Sequence, residues 1–144
     1  MKINERFLSL NTSLPYMMKY SDVCAALDIN DDYFYKLIKK NRLSYVRFNG
    51  SIRVPASLFA AYLVEGPSFN RSDDFIRMCY IESLLTFPSK LNINDICRFM
   101  NVSRSTVKRV IQSKAIKYEV LHTTCLIQIK KNDFISFLVA NTIK

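Results

Sequence analysis

Ser103-Arg104-Ser105-Thr106 sets three hydroxyls and a guanidinium on four consecutive residues, at the start of an apolar-periodic run. The chemistry of that group is anion binding. Serine and threonine hydroxyls donate to phosphate oxygens, and arginine offers parallel N–H groups that match phosphate or guanine. At a helix N-terminus, unpaired backbone N–H groups and the positive end of the dipole add to the same preference. Lys108, Arg109 and Gln112 follow at helical spacing, with Lys114 and Lys117 beyond. Arg104, Thr106, Arg109 and Gln112 are expected near base edges, where each bidentate contact discriminates by ~1–3 kcal/mol. Ser103, Ser105, Lys108, Lys114 and Lys117 are expected on phosphates, which position a protein without reading sequence. The competing reading of these cations is a solvated helix face.

Other chemistries are thinly supplied. A single histidine, His122, and four dispersed cysteines, Cys24, Cys79, Cys97 and Cys125, leave no common Cys/His zinc spacing. No glycine-rich phosphate loop is present, and the histidine has no evident nucleophile partner, so neither an enzyme, a metal site nor a cofactor is predicted. Cys24 and Cys97 read as small buried residues at a helix crossing. Cys125 reads as a partly buried strand residue, the alternative being a redox-sensing thiol.

The formal net charge is +9, which favours a polyanionic partner: nucleic acid first, an anionic membrane surface second. The charge is uneven. Residues 1–70 carry nine basic and six acidic side chains, residues 71–144 twelve and six. Hydrophobic content of 49% against 23% charged describes a globular chain. No apolar run approaches the ~18 residues that span a bilayer, so no membrane partner is expected. Nothing reads as a signal peptide, and the expected compartment is the reduced cytoplasm, nucleoid-associated through DNA.

The elements that must position these groups occur twice. Displaced by 73, the segment YSDVCAALDINDDYFYKLIKKNRLSY falls on INDICRFMNVSRSTVKRVIQSKAIKY. Asp22 meets Asp95, Cys24 meets Cys97, Ile38 meets Ile111 and Tyr45 meets Tyr118. An offset of 75 then aligns IRVPASLFAAYL with IQIKKNDFISFL. Duplication is the simplest account, with two residues added between Tyr118 and Ile127. Each copy predicts a short helix, a polar turn at Asp28 or Asn101, and a longer second helix. Asn92 or Asn94 caps the first helix of copy two and Ser103 the second. Asp and Asn tolerate the left-handed backbone that a sharp turn requires.

A hairpin follows in each copy. In SYVRFNGSIRV, Asn49-Gly50 signals the turn. An odd loop over Asn49-Gly50-Ser51 keeps Val46, Phe48, Ile52 and Val54 on one face and sets Arg47 opposite Arg53. Two facing arginines favour a shared anion, the competing reading being two solvated side chains. In KYEVLHTTCLIQIK, His122, Thr123 and Thr124 form the tip. Glu119 falls on an inward position there, so the pairing register stays open. Closing helices are predicted over Ser57–Leu63 and Asn132–Asn141.

Between the copies, Ser72 caps a helix whose Phe75, Ile76, Met78, Cys79, Ile81, Leu84 and Leu85 form a broad apolar surface, ended by Pro88. It is too apolar to hang free. It packs between the modules or offers a homodimer contact over Phe75–Leu85.

These patterns resemble the MerR-like, excisionase-type winged helix-turn-helix family. NINDICRFMNVSRSTVKRVI is similar to its helix pair, and LSYVRFNGSIRVPASLFAAYL to its wing and closing helix. The resemblance spans roughly residues 20–63 and 93–138 and implies double-stranded DNA binding, a major-groove helix and a wing on the adjacent groove or backbone. The expected fold is mainly α with small β-hairpin wings (α+β). The first module covers residues 1–66, a connecting helix 67–89 and the second module 90–144. The expected function is sequence-specific transcription regulation, with RNA polymerase as a further partner. The alternatives are an excisionase-like architectural factor that recruits a recombinase, and a winged-helix protein-interaction module. Three departures stand out: the module is doubled, the family's long dimerisation helix and effector region are not evident, and copy one opens its second helix with Asn30-Asp31-Asp32. Tyr33, Lys36, Lys39 and Lys40, with the hairpin residues Arg47, Asn49 and Arg53, are the DNA-contact candidates of copy one.

Overall fold

The computed structural model describes residues 15–124 and 126–144. Cys125, and with it the thiol-sensor alternative, lies outside them. The architecture is α+β, with seven helices and two small antiparallel sheets among the described residues.

One order of elements occurs twice. In the first half it runs β1 (Met17–Met18), α1 (Tyr20–Leu27), α2 (Asp31–Lys39), β2 (Tyr45–Phe48), β3 (Ser51–Pro55) and α3 (Ala56–Glu65). After α4 (Asp73–Ser83) it recurs as β4 (Lys90–Leu91), α5 (Ile93–Met100), α6 (Arg104–Gln112), β5 (Glu119–Val120), β6 (Ile127–Lys130) and α7 (Lys131–Asn141). Strand β7 (Thr142–Ile143) ends the chain. Strand pairing repeats with the sequence offsets: Met18 faces Val54 in β1–β3, and Leu91 faces Ile129 in β4–β6.

Local chemistry explains the helix boundaries. Asn92 and Asp95 cap α5 reciprocally, the Asn92 side chain accepting from the Asp95 N–H at 2.8 Å and Asp95 accepting from the Asn92 N–H at 3.0 Å. This settles the choice of cap in favour of Asn92. The first helix of each pair ends on a left-handed residue, Asp28 at φ 56° and Asn101 at φ 58°. The second helix then starts on a side-chain cap: Asn30 accepts from the Tyr33 N–H, and Ser103 from the Thr106 N–H.

The first hairpin corrects one expectation. Its turn has two residues, Asn49 at φ 50° and Gly50 at φ 84°, with Phe48 facing Ser51. Positive φ at both central positions matches the right-handed twist of the strands, and glycine adopts it without a Cβ clash. The even loop reverses the phase of β3. Arg47 faces Ile52, and Arg53 faces the buried Val46. Arg47 and Arg53 are therefore not opposed, and the shared-anion argument built on their pairing falls.

The two halves share a core. One continuous apolar cluster joins Met17, Val46, Phe48 and Leu58 to Ile96, Phe99, Met100, Phe134 and Leu138. Phe48 meets Phe137 edge-on at 6.0 Å between ring centroids. A second cluster lies within the first half and includes Val23, Phe34, Leu37, Phe59 and Leu63. Strand β7 pairs with β2, Tyr45 facing Ile143 and Val46 facing Thr142, so the end of the chain completes the sheet of the first half. Helix α4 packs against α3 and α7, burying Ile76, Cys79 and Tyr80. The helix ends at Ser83, short of the expected Leu85; Met78 and Ile81 on it and Leu85 in the turn beyond remain exposed, so only part of this apolar surface is used internally.

Candidate nucleic-acid interface

Helix α6 buries Val107, Val110 and Ile111 and turns Ser105, Lys108, Arg109 and Gln112 to solvent. The exposed positions follow the three-and-four spacing of one helix face. No acid stands in its first turn. Lys114, at φ 61°, and Lys117 continue the exposed basic surface beyond the helix. They flank a cleft that also holds Glu119 and Lys130, whose charges lie 3.6 Å apart. Glu119 is thus exposed rather than inward.

The start of α6 is more committed to its own scaffold. The Ser103 hydroxyl accepts the Thr106 N–H at 3.3 Å and lies 3.0 Å from both the Ser105 and Thr106 hydroxyls. Arg104 donates to the Asn94 side-chain oxygen at the start of α5. Ser103, Arg104 and Ser105 are exposed and Thr106 is half-buried; the remaining donors stay available to a partner, but the shape of the quartet is set by bonds within the two helices. His122, Thr123 and Thr124 form the exposed turn of the second hairpin.

Helix α2 is the counterpart of α6 with different chemistry. Phe34, Leu37 and Ile38 are buried, while Tyr33, Lys36, Lys39 and Lys40 are exposed, Tyr33 by 52%. Tyr33, Lys36 and Lys40 line one depression with Arg42 and Tyr62. Asp31 and Asp32 occupy the first turn, where carboxylates stabilise the helix dipole and oppose an approaching phosphate. Arg47 and Asn49 are exposed on the first hairpin, the Arg47 guanidinium 5.7 Å from the centre of the Tyr45 ring.

Arg53 is placed differently from expectation. Its guanidinium reaches the other half and donates to the carbonyl oxygens of Met100 at 3.1 Å and Asn101 at 2.9 Å. These are terminal carbonyls of α5, where a cation complements the negative end of the helix. Burial lowers the Arg53 pKa, and the Asp22 carboxylate opposes that shift. Two further cations serve helix ends. Arg71 donates to the carbonyls of Asn41 and Arg42 just after α2, and the Lys131 ammonium to those of Leu84 and Phe87 just after α4. Part of the positive charge is therefore structural.

Cys24 and Cys97 are half-buried and pack against the two apolar clusters, Cys24 against that of the first half and Cys97 against the shared one. Burial is the main cause raising the pKa of both thiols; Asp31 reinforces it at Cys24, whereas Arg104 opposes it at Cys97. Among the described residues no cluster of acidic, cysteine and histidine side chains is suited to hold a metal ion, and no helix is long and apolar enough to cross a membrane.

Sequence reasoning missed Lys19, Ser51 and Arg98, which line a cleft with Arg53, Ser103 and Thr106. Asn49-Gly50 carried the signal. Read as a two-residue turn, it sends Arg53 to the face of Val46 and toward the interior.

Comparison with family models, with curated proteins and with solved structures gave no match.

Proposed function

We propose that this protein binds double-stranded DNA sequence-specifically and acts as a transcriptional regulator, its two halves being tandem winged helix-turn-helix modules of the MerR-like, excisionase type. In this reading α6 enters the major groove. Arg109 and Gln112 meet base edges, Lys108, Lys114 and Lys117 neutralise phosphates, and the turn at His122–Thr124 lies on the adjacent backbone. The observation that carries the reading is the face of α6: Ser105, Lys108, Arg109 and Gln112 are exposed together, on a helix whose opposite side is locked in the core. Helix α2, with its two leading aspartates, has the weaker claim, through Tyr33, Lys36, Lys39 and Lys40. The role is binding and not catalysis, and RNA polymerase is the further partner that a regulator would engage. An architectural factor that recruits a recombinase would use the same surface.

A protein-interaction module is the second reading. It is favoured by the exposed Met78 and Ile81 on α4 and Leu85 in the turn just beyond it, which also suit a homodimer contact. Competitive titration of the protein with genomic duplex fragments separates the readings. A regulator is expected to select a subset of fragments by at least about a thousandfold over bulk DNA. Equal affinity for all fragments contradicts sequence-specific regulation, and no binding at low salt favours the interaction module.

A further inference from the structure

The halves meet at a cleft of about 400 Å³ whose wall is mostly polar. Lys19, Ser51 and Arg53 come from the first half, and Arg98, Ser103 and Thr106 from the second. Three of these six side chains are cations, and no carboxylate lines the cleft. Two of the cations are partly balanced by a carboxylate behind the wall, and the third is not. Arg53 is fixed by the Met100 and Asn101 carbonyls, with the Asp22 carboxylate partly balancing its charge. Arg98 lies over the Phe87 ring at 4.4 Å, with Asp95 3.8 Å away partly balancing it. Lys19 bonds α1 through its backbone, its N–H donating to Asp22 and its carbonyl accepting from the Asp22 N–H. Its ammonium forms no ion pair among the described residues.

We propose that this cleft seats one phosphate group of the DNA backbone, gripped by both halves at once. The inference rests on the DNA-binding reading above and adds a contact that neither half makes alone. Three like charges brought to one wall repel each other, and a phosphate between them relieves that repulsion while accepting charge-assisted hydrogen bonds. The hydroxyls of Ser51, Ser103 and Thr106 supply neutral donors around the same space. Because α6 starts at this cleft, a phosphate seated there fixes how far along the groove α6 lies. The corresponding start of α2 carries Asp31 and Asp32, so the seat belongs to the second helix pair.

The test is the salt dependence of duplex binding by the wild type, by Lys19→Gln and by Arg77→Gln, which removes an exposed charge outside the cleft. Unfolding midpoints confirm that each variant folds. Lys19→Gln is expected to weaken binding about three- to tenfold at 0.1 M salt and to reduce the slope of log affinity against log salt by about 0.9. Arg77→Gln is expected to change neither. A wild-type slope and affinity in Lys19→Gln, or an equal loss in Arg77→Gln, overturns the phosphate seat while leaving DNA binding intact. A wild-type protein that binds no duplex at low salt overturns the DNA reading and the seat together.

Discussion

Tyr80 shows how one buried polar atom is accommodated in the shared core. Its hydroxyl lies 2.6 Å from the Thr142 hydroxyl, which in turn donates to the Leu138 carbonyl. The ring is almost wholly buried, and burial pushes the phenol well above its ordinary pKa, the Thr142 bond opposing only part of that shift. Below about pH 10 the phenol is neutral in both folded and unfolded chains, and its full contribution is present. Above that pH the unfolded chain loses the proton while the folded chain keeps it, so stability falls as pH rises. Tyr80→Phe is expected to cost about 1 kcal/mol at neutral pH through the lost hydrogen bond. Its urea midpoint is expected to decline less steeply than the wild type's above pH 10. Parallel declines would place the alkaline sensitivity elsewhere.

At the scale of the element, α6 and α2 share length, buried pattern and capping and differ in the charge of the first turn. That contrast separates stability from binding. Ser103→Asp keeps a good cap and adds a carboxylate at the helix start, so stability is expected to hold within about 0.5 kcal/mol. Duplex affinity is expected to fall at least about tenfold, because the new charge opposes phosphate. Equal affinity would remove the start of α6 from the interface. Much of this level was legible in the sequence. Periodicity found the two helix pairs, and the left-handed turns fell on Asp28 and Asn101, because helix patterns and polar turn residues are local signals. The closing helices begin one residue earlier than expected, at Ala56 and Lys131. In the first hairpin apolar alternation and the Asn49-Gly50 turn favour different registers, and the turn decides. Ile52 faces Arg47 and is only partly buried, so its apolar character misled the register.

At the scale of the whole molecule, the halves are joined by features with no local signature. Strand β7 on β2, Arg53 on the end of α5, and the Phe48–Phe137 contact all pair residues far apart in sequence. Nothing in a heptad or an alternation marks such partners. A core continuous across both halves is expected to unfold in one calorimetric transition, with equal calorimetric and van't Hoff enthalpies. Two resolved transitions would mean that the halves are energetically independent. The same joining holds α6 against a fixed body, and the functional account depends on that helix. Arg109 tests it most directly, being exposed and free of the Asn94 tie that occupies Arg104. In a fluorescence titration against a selected duplex, Arg109→Ala is expected to lose ~1–3 kcal/mol of affinity for that sequence and to discriminate less among its variants. Affinity and discrimination equal to the wild type's, in a protein with the wild-type unfolding midpoint, would contradict the placement of α6 in the groove.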